Sequence, residues 1–121
     1  MLVVSGKDEV SEFLTLAKAL VLGNHWVQPF QDDLDVLTLI GLTTMDVRDI
    51  LLQLECTHYC KGPEPDDDPQ RPGEVWFFLA NAPDSVVELY VKLKVTPNRD
   101  YLVVLSMHPP AHPIIRPYRK G

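Results

Sequence analysis

The chain has no long apolar run and contains only two cysteines among its 121 residues. A membrane-spanning helix needs about 20 predominantly apolar residues, so we expect a soluble globular protein with no membrane partner. The first residues lack the basic and apolar regions of a signal peptide, so a cytoplasmic location is expected. Cys56 and Cys60 fall four residues apart in a predicted helix end, and two thiols do not make a zinc site. We expect both to be reduced and partly buried.

Positive charge is scarce. The formal net charge is −6 and the sequence pI about 5.0, which argues against a broad nucleic-acid-binding surface. The charge is unevenly placed, since acidic residues outnumber Lys and Arg by 13 to 5 up to Pro72, whereas the remainder has 4 acidic and 6 basic residues. A local anion site in the second half of the chain is compatible with the acidic total.

The first half of the chain has the pattern of amphipathic helices. Ser5 to Leu22 carries apolar residues at intervals of three and four, with Ser5 as the expected N-cap. A second helix is predicted for Asp32 to Ile40, capped by Asp32 or Asp33. A third begins at Thr43 or Thr44 and is expected to end near residues 59–61, because Gly62 and Pro63 cannot continue it.

Residues 62–72 form a Pro- and Asp-rich segment, which we predict to be a solvated loop. The triplet Asp66, Asp67 and Asp68 invites a calcium interpretation. The segment lacks the alternate acids, central Gly and terminal Glu of an EF-hand, so we expect no calcium site.

The second half of the chain has the alternation of β-strands. A first strand is predicted for Glu74 to Leu79, followed by a hairpin from Glu88 to His108. In its first strand, Leu89, Val91, Leu93 and Val95 fall on one face, and Glu88, Tyr90, Lys92 and Lys94 on the other. A phenol, two ammoniums and the nearby His108 on one sheet surface suit an anionic ligand.

We therefore expect a single α+β domain in which helices pack on a small antiparallel sheet. Residues 1–61 would be mainly helical, 62–72 a loop, 73–108 the sheet, and 109–121 an extended, Pro-rich tail in which Arg116 contributes positive charge.

The order of several motifs resembles the MqsR-like toxins of type II toxin–antitoxin systems, over roughly residues 39–118. The motifs are Leu-Leu-Gln-Leu-Glu-Cys-Thr-His-Tyr-Cys-Lys-Gly-Pro, Pro-Gly-Glu-Val-Trp-Phe-Phe, Glu-Leu-Tyr-Val-Lys-Leu and Val-Leu-Ser-Met-His. The resemblance implies a RelE-like fold and a metal-free endoribonuclease that cuts mRNA, free or ribosome-bound. It also implies a cognate antitoxin as partner, and no cofactor.

The resemblance also implies site residues. The family's active-site lysine after the helix falls on Lys61, and its sheet tyrosine, in the pattern Tyr-x-Lys, falls on Tyr90. The last active position, a lysine in the founding toxin, is His108 here. A glutamine position in the first strand is occupied by Phe77, a departure that removes a polar contact.

These residue types fit metal-free RNA cleavage. The reaction needs a base for the 2′-hydroxyl, an acid for the leaving 5′-oxygen, and cations facing the phosphorane. We assign proton transfer to His108, because imidazole works near neutral pH, and a phosphate contact to Lys61. Tyr90 is the third predicted catalytic residue, and it could bond the phosphate, stack on a base or donate a proton. Lys92, Lys94 and Arg116 are predicted to bind RNA phosphates.

Two other functions remain open at this point. The acidic first half and Phe77 suit a non-catalytic inhibitor on the same scaffold, one that blocks a basic nucleic-acid-binding partner. A regulatory module that binds a small anion is the third possibility. Without the resemblance, Tyr and Lys on an open sheet face are typical of ordinary solvated strand residues. His112, four residues after His108, does not complete a helical two-His metal site, because Pro109 and Pro110 intervene.

Overall fold

A computed structural model describes residues 4–68 and 70–119 of the chain. The helices are α1 (Lys7–Leu22), α2 (Gln31–Leu39) and α3 (Thr44–Gln53), and a short 3₁₀ turn follows at Cys56–His58. The strands are β1 (Trp26–Val27), β2 (Tyr59–Pro65), β3 (Glu74–Asn81), β4 (Glu88–Val95) and β5 (Leu102–His108). The predicted α+β class is confirmed.

All five strands belong to one sheet in the order β1-β5-β4-β3-β2. The β3–β4 and β4–β5 pairs are antiparallel, as predicted, and β2, which was not predicted as a strand, adds an antiparallel pair with β3. β1 runs parallel to β5, with Trp26 opposite Leu102, so the sheet is mixed and the prediction of a purely antiparallel sheet was wrong. Two residues give too short a pattern for a strand to be predicted from sequence.

The helices cover one face of the sheet. α1 buries residues at intervals of three and four, which places them on one side of the helix: Val10, Phe13, Leu14, Ala17 and Val21. They share one apolar core with Leu37 of α2, with buried residues of α3, and with Leu89, Val91 and Leu93 of β4. The opposite face, which we call the open face, carries the alternate residues of β2 to β5. No helix within the described residues is long and apolar enough to cross a membrane.

Two of the predicted helix starts were wrong. The N-cap of α1 is Gly6, whose N–H donates to Glu9 Oε1 at 3.1 Å, whereas Ser5 is buried and donates its hydroxyl to the Gly62 carbonyl at 2.8 Å. The N-cap of α2 is Phe30 rather than Asp32 or Asp33.

The start of α3 was predicted correctly. Thr43 is its N-cap, and the Thr43 hydroxyl accepts from the Asp46 N–H.

The end of α3 differs most from the prediction. The helix stops at Gln53, and the segment expected to complete it forms the 3₁₀ turn and then β2, which extends through Pro65 into the predicted loop. β2 pairs with β3 in an irregular register, with Tyr59 opposite Phe78 and Lys61 opposite Phe77. Pairing with a distant strand thus overrides the local helical spacing. Cys60 consequently lies on a strand, not four residues from Cys56 on a helix.

The segment that follows β5 has no helix or strand up to residue 119, as expected for an extended tail. Its position is nevertheless defined by contacts. The Tyr118 ring stacks on the ring of Tyr59 at 5.9 Å between centroids, and the Tyr118 hydroxyl donates to the Ser5 carbonyl. Ile114 packs on the open face against the buried apolar cluster of Cys60, Val75, Phe77 and Leu79. The tail therefore lies along the edge of the sheet near β2.

Gly62 is predicted to tolerate no side chain. Its φ is +110°, and an added Cβ would lie 2.7 Å from the Val75 carbonyl oxygen of β3. We expect Gly62→Ala to lower the free energy of unfolding by about 2 kcal/mol or more, because backbone strain and a backbone clash add together. Urea denaturation measures the change.

Gly41→Ala is the matched control. Gly41 also has a positive φ, +87°, but open space surrounds its missing side chain. We expect that variant to lose about 1 kcal/mol, from backbone strain alone. Equal losses for the two variants would contradict the close approach of β2 to β3.

Candidate active site

The open face brings predicted site residues from three strands into two neighbouring rows. In the first row Lys61 of β2 lies opposite Phe77 of β3, which lies opposite Lys92 of β4. In the second, Tyr90 of β4 lies opposite His108 of β5. Residues paired across strands point to the same side of a sheet, so the rows form one surface.

The ring of Phe77 contacts the ammonium groups of both lysines of the first row. Its ring lies 4.4 Å from Lys61 Nζ and 5.6 Å from Lys92 Nζ, measured to the ring centroid, within the range of cation–π contacts. Phe77 itself is 8% exposed. Lys61 Nζ also lies 3.0 Å from Glu64 Oε2. The residue at the family's glutamine position thus offers no hydrogen bond, yet it brings two ammonium groups together.

Tyr90 is a hydrogen-bond donor on this surface. Its half-buried ring stacks on Phe77 at 5.8 Å between centroids. Burial raises the pKa of the Tyr90 hydroxyl to about 12, and the nearby Cys60 and Glu64 raise it further in the same direction. The phenol therefore stays protonated at neutral pH and can donate to a phosphate or base oxygen, but it does not act as a base.

His108 has one ring nitrogen oriented by the backbone. Its Nδ1 lies 2.9 Å from the Pro109 carbonyl oxygen, which only accepts, so the proton of the neutral ring belongs on Nδ1. This leaves the Nε2 lone pair to accept a proton. Since β4 and β5 place Tyr90 directly opposite, a proton acceptor and a hydroxyl donor face one site.

Lys61 is not in contact with this pair. It belongs to β2, three strands from His108, which corresponds to roughly 14 Å between backbones at about 4.8 Å per strand. Its ammonium lies over Phe77 of β3, which reduces the separation without closing it. The predicted catalytic residues thus form a line across the sheet, with His108 and Lys61 near its two ends.

Lys94 was predicted to bind phosphate from a solvated face, and the solvated position was wrong. Its ammonium lies 2.8 Å from Asp66 Oδ2, and both side chains are 9% exposed. The hydrogen bond from Lys94, together with one from the Asp68 N–H, lowers the pKa of the Asp66 carboxyl. Strand alternation placed Lys94 on the open face correctly. The loop after β2 folds over this side chain, however, and Asp66 of that loop pairs with its ammonium.

Arg116 was also predicted to bind phosphate, and its guanidinium is engaged within the protein. It donates to the Leu79 carbonyl oxygen at 3.3 Å and to Glu88 Oε2 at 3.4 Å, with its side chain 13% exposed. Arg116 therefore fastens the tail to β3 and β4. Lys92 differs from both, because no ion pair found among the described residues involves it.

The two cysteines are free thiols, and Cys60 is buried. Burial raises the pKa of Cys60 to about 12, so it remains a neutral thiol rather than a nucleophilic thiolate. Within residues 4–68 and 70–119, no three His, Cys, Asp or Glu side chains are grouped as metal ligands.

Three further residues of this surface were not assigned a role from the sequence. Glu64 pairs with Lys61. Ser106 lies opposite Lys92, and its buried hydroxyl oxygen has no hydrogen-bond partner within the part of the chain that the structure describes. His112 lines a cavity together with Lys61 and Tyr90. The motif Ser-x-His would have pointed to Ser106, whereas nothing local indicates that the tail brings His112 back beside β2.

Comparisons with protein-family models, curated proteins and solved structures found no match. The function is therefore inferred from the chemistry of the site.

We predict that Lys94→Ala destabilises the fold by about 2 kcal/mol, because it leaves the Asp66 carboxylate buried without its cation. The folded pKa of Asp66 lies below its ordinary value of 3.8, so the ion pair stabilises the fold above that pH. That stability is lost as the pH falls further, and the difference between wild type and variant should shrink there. Urea denaturation between pH 7 and pH 2 measures both effects.

Lys92→Ala is the control for this measurement, since the side chain of Lys92 is identical to that of Lys94 and lies on the same strand and the same face of the sheet. It should change stability by no more than about 0.5 kcal/mol. A stability loss for Lys94→Ala that stays constant through the acid range would contradict the ion pair.

Proposed function

We propose that the protein is a metal-independent endoribonuclease that cleaves mRNA, a toxin of the MqsR-like, RelE-related type whose activity a cognate antitoxin blocks. The observation that carries the proposal is the pairing of His108 with Tyr90 on the open face, beside the ammonium of Lys92. Cleavage by the 2′-hydroxyl requires a proton acceptor, a neutral hydroxyl donor and an available cation, and Lys92 takes part in no ion pair among residues 4–68 and 70–119.

In the proposed reaction, His108 Nε2 takes the proton of the ribose 2′-hydroxyl. The 2′-oxygen forms a bond to phosphorus while the bond from phosphorus to the 5′-oxygen breaks, and the leaving 5′-oxygen takes a proton from water. Tyr90 and Lys92 stabilise the negative charge that develops on the phosphoryl oxygens. The products are a 2′,3′-cyclic phosphate and a 5′-hydroxyl.

In this proposal Lys61 does not contact the scissile phosphate. Because it lies across the sheet from His108, we assign it to the phosphate of a neighbouring nucleotide. Although Lys61 is paired with Glu64, Lys61 and Lys92 place two ammonium groups over Phe77 on this surface of an otherwise acidic chain. A short stretch of RNA would then run across the strands, from β5 towards β2.

The test is cleavage of a labelled RNA by purified protein in the presence of EDTA. We expect His108→Ala to lower the rate about 10²- to 10⁴-fold, the range for loss of a general base. Tyr90→Phe and Lys61→Ala should lower it less, since each removes one stabilising contact.

His25→Ala is the control. The His25 ring lies 5.3 Å from the ring of Tyr101, which precedes β5 at the end opposite to His108, and the variant should cleave like wild type. Wild-type protein that leaves RNA intact, with or without EDTA, would overturn the proposal. Equal cleavage by every variant would reject the assigned residues.

A second candidate function is the acidic, non-catalytic inhibitor of a basic nucleic-acid-binding partner. It is favoured by α2, which buries Leu37 but exposes apolar residues at Val36, Leu39 and Ile40, with Leu39 86% exposed. Asp32 precedes Val36 by four residues and Asp35 precedes Leu39 by four, so each carboxylate shares a face of the helix with an exposed apolar residue. Exposed apolar residues rimmed by carboxylates are typical of a surface for a basic protein partner.

We predict that Leu39→Asp and Asp35→Lys each weaken binding to a co-expressed partner at least tenfold, because one removes apolar contact and the other reverses a charge. The candidate partner is the product of the neighbouring gene, and calorimetry measures the affinity. Val86→Asp is the control, since Val86 is 91% exposed on the β3–β4 turn. Binding unaffected by both α2 variants would remove this surface from consideration.

A further inference from the structure

A cavity of about 270 Å³ lies between the tail and the β2 side of the open face. Its lining includes Lys61, Tyr90, His112, Ile114 and Ile115. Two of these residues belong to the candidate active site, so the cavity opens beside the proposed path of the RNA. The role assigned above to the site does not use it.

The size of the cavity suits one ring system. A cavity of about 150 Å³ holds a benzene ring, and pockets for drug-sized molecules begin near 300 Å³. The space therefore fits a single flat heterocycle, and a dinucleotide is too large for it. The prolines and isoleucines of the tail provide apolar walls of the kind that ring faces contact.

The polar groups of the cavity are mainly donors. The Lys61 ammonium can only donate, and the Tyr90 hydroxyl stays protonated. The imidazole of exposed His112 is the third group, and it makes no hydrogen bond recorded among the described residues. Donors at the edge of an apolar slot match the ring carbonyl oxygens of uracil and guanine better than the amino group of adenine.

The cavity exists before any ligand binds, because contacts on both sides of it hold the tail. Ile114 packs, like Tyr90, against the buried apolar cluster of the open face. Arg116 bonds to Leu79 and Glu88, and Tyr118 stacks on Tyr59. A preformed site avoids the entropic cost of ordering a loop on binding.

We propose that this cavity is a nucleobase subsite, which receives a carbonyl-bearing base from the nucleotide whose phosphate lies at Lys61. This inference rests on the proposed RNA-cleaving function and adds the base contact to it. The tail thereby becomes part of the substrate site.

The test is an NMR titration of ¹⁵N-labelled protein with uridine, adenosine and ribose 5-phosphate. Uridine should shift the signals of His112, Ile114 and Ile115 and leave those of α2 unchanged. Adenosine should bind more weakly, and ribose 5-phosphate should not shift the tail signals. Tail signals that do not move at millimolar uridine, or that move equally with ribose 5-phosphate, overturn the subsite.

Two variants sharpen the test. His112→Ala should weaken uridine binding about fivefold, the loss expected for one hydrogen bond, whereas His25→Ala, another exposed histidine, should have no effect. Val4→Trp should abolish binding, because Val4 lines the cavity and a larger ring would fill it. Uridine affinity equal to wild type in both His112→Ala and Val4→Trp overturns the subsite.

Nucleoside binding is measured without cleavage, so the two proposals can fail separately. If wild type binds uridine at the tail but cuts no RNA, the ribonuclease proposal fails and the base subsite stands. If it cuts RNA with the same base preference in wild type, His112→Ala and Val4→Trp, the subsite is overturned and the ribonuclease proposal stands.

Discussion

The buried hydroxyl of Tyr59 joins the segments that build one end of the open face. It accepts a hydrogen bond from the Ser5 N–H at 2.8 Å and donates to the carbonyl of Gly62. The Tyr118 hydroxyl donates a hydrogen bond to the Ser5 carbonyl oxygen and thereby joins the tail to this network. A buried hydroxyl is costly unless its bonds are made, so the network stabilises one arrangement of these segments. The direction of Lys61 from β2, and the course of the tail beside it, depend on that arrangement.

The proposed RNA site lacks a broad basic surface. The chain is acidic, and two of its basic side chains on this side of the sheet, Lys94 and Arg116, pair with carboxylates. Lys61 is likewise paired, with Glu64, so positive charge on this side of the sheet lies mainly on Lys92. The ammonium groups of Lys61 and Lys92 both lie over the ring of Phe77. Affinity would then come from a few oriented contacts and depend weakly on salt, rather than from a broad basic surface.

The sequence was enough to predict β4 from its alternation, β3 from a near-continuous apolar run, and β5 from the polar turn that joins it to β4 in a hairpin. It failed for β2, since Leu54 and its neighbours continue the helical spacing of α3 and the pairing with β3 is set by distant residues. Alternation also placed Lys92 and Lys94 on one face correctly. It could not distinguish them, because Asp66 reaches Lys94 through the folding of a loop. The contact of the Phe77 ring with both lysines likewise depends on strand register, which no local sequence pattern specifies.

β4 supports the helix-side core with Leu89, Val91 and Leu93, and the open face with the residues between them. Successive positions of this strand therefore have different roles, one in the core and the next on the open face. Exchanges at Tyr90 or Lys92 alter what the surface binds and leave the packing of the helices in place. The ligand of the open face can therefore change through single substitutions that each retain a folded protein.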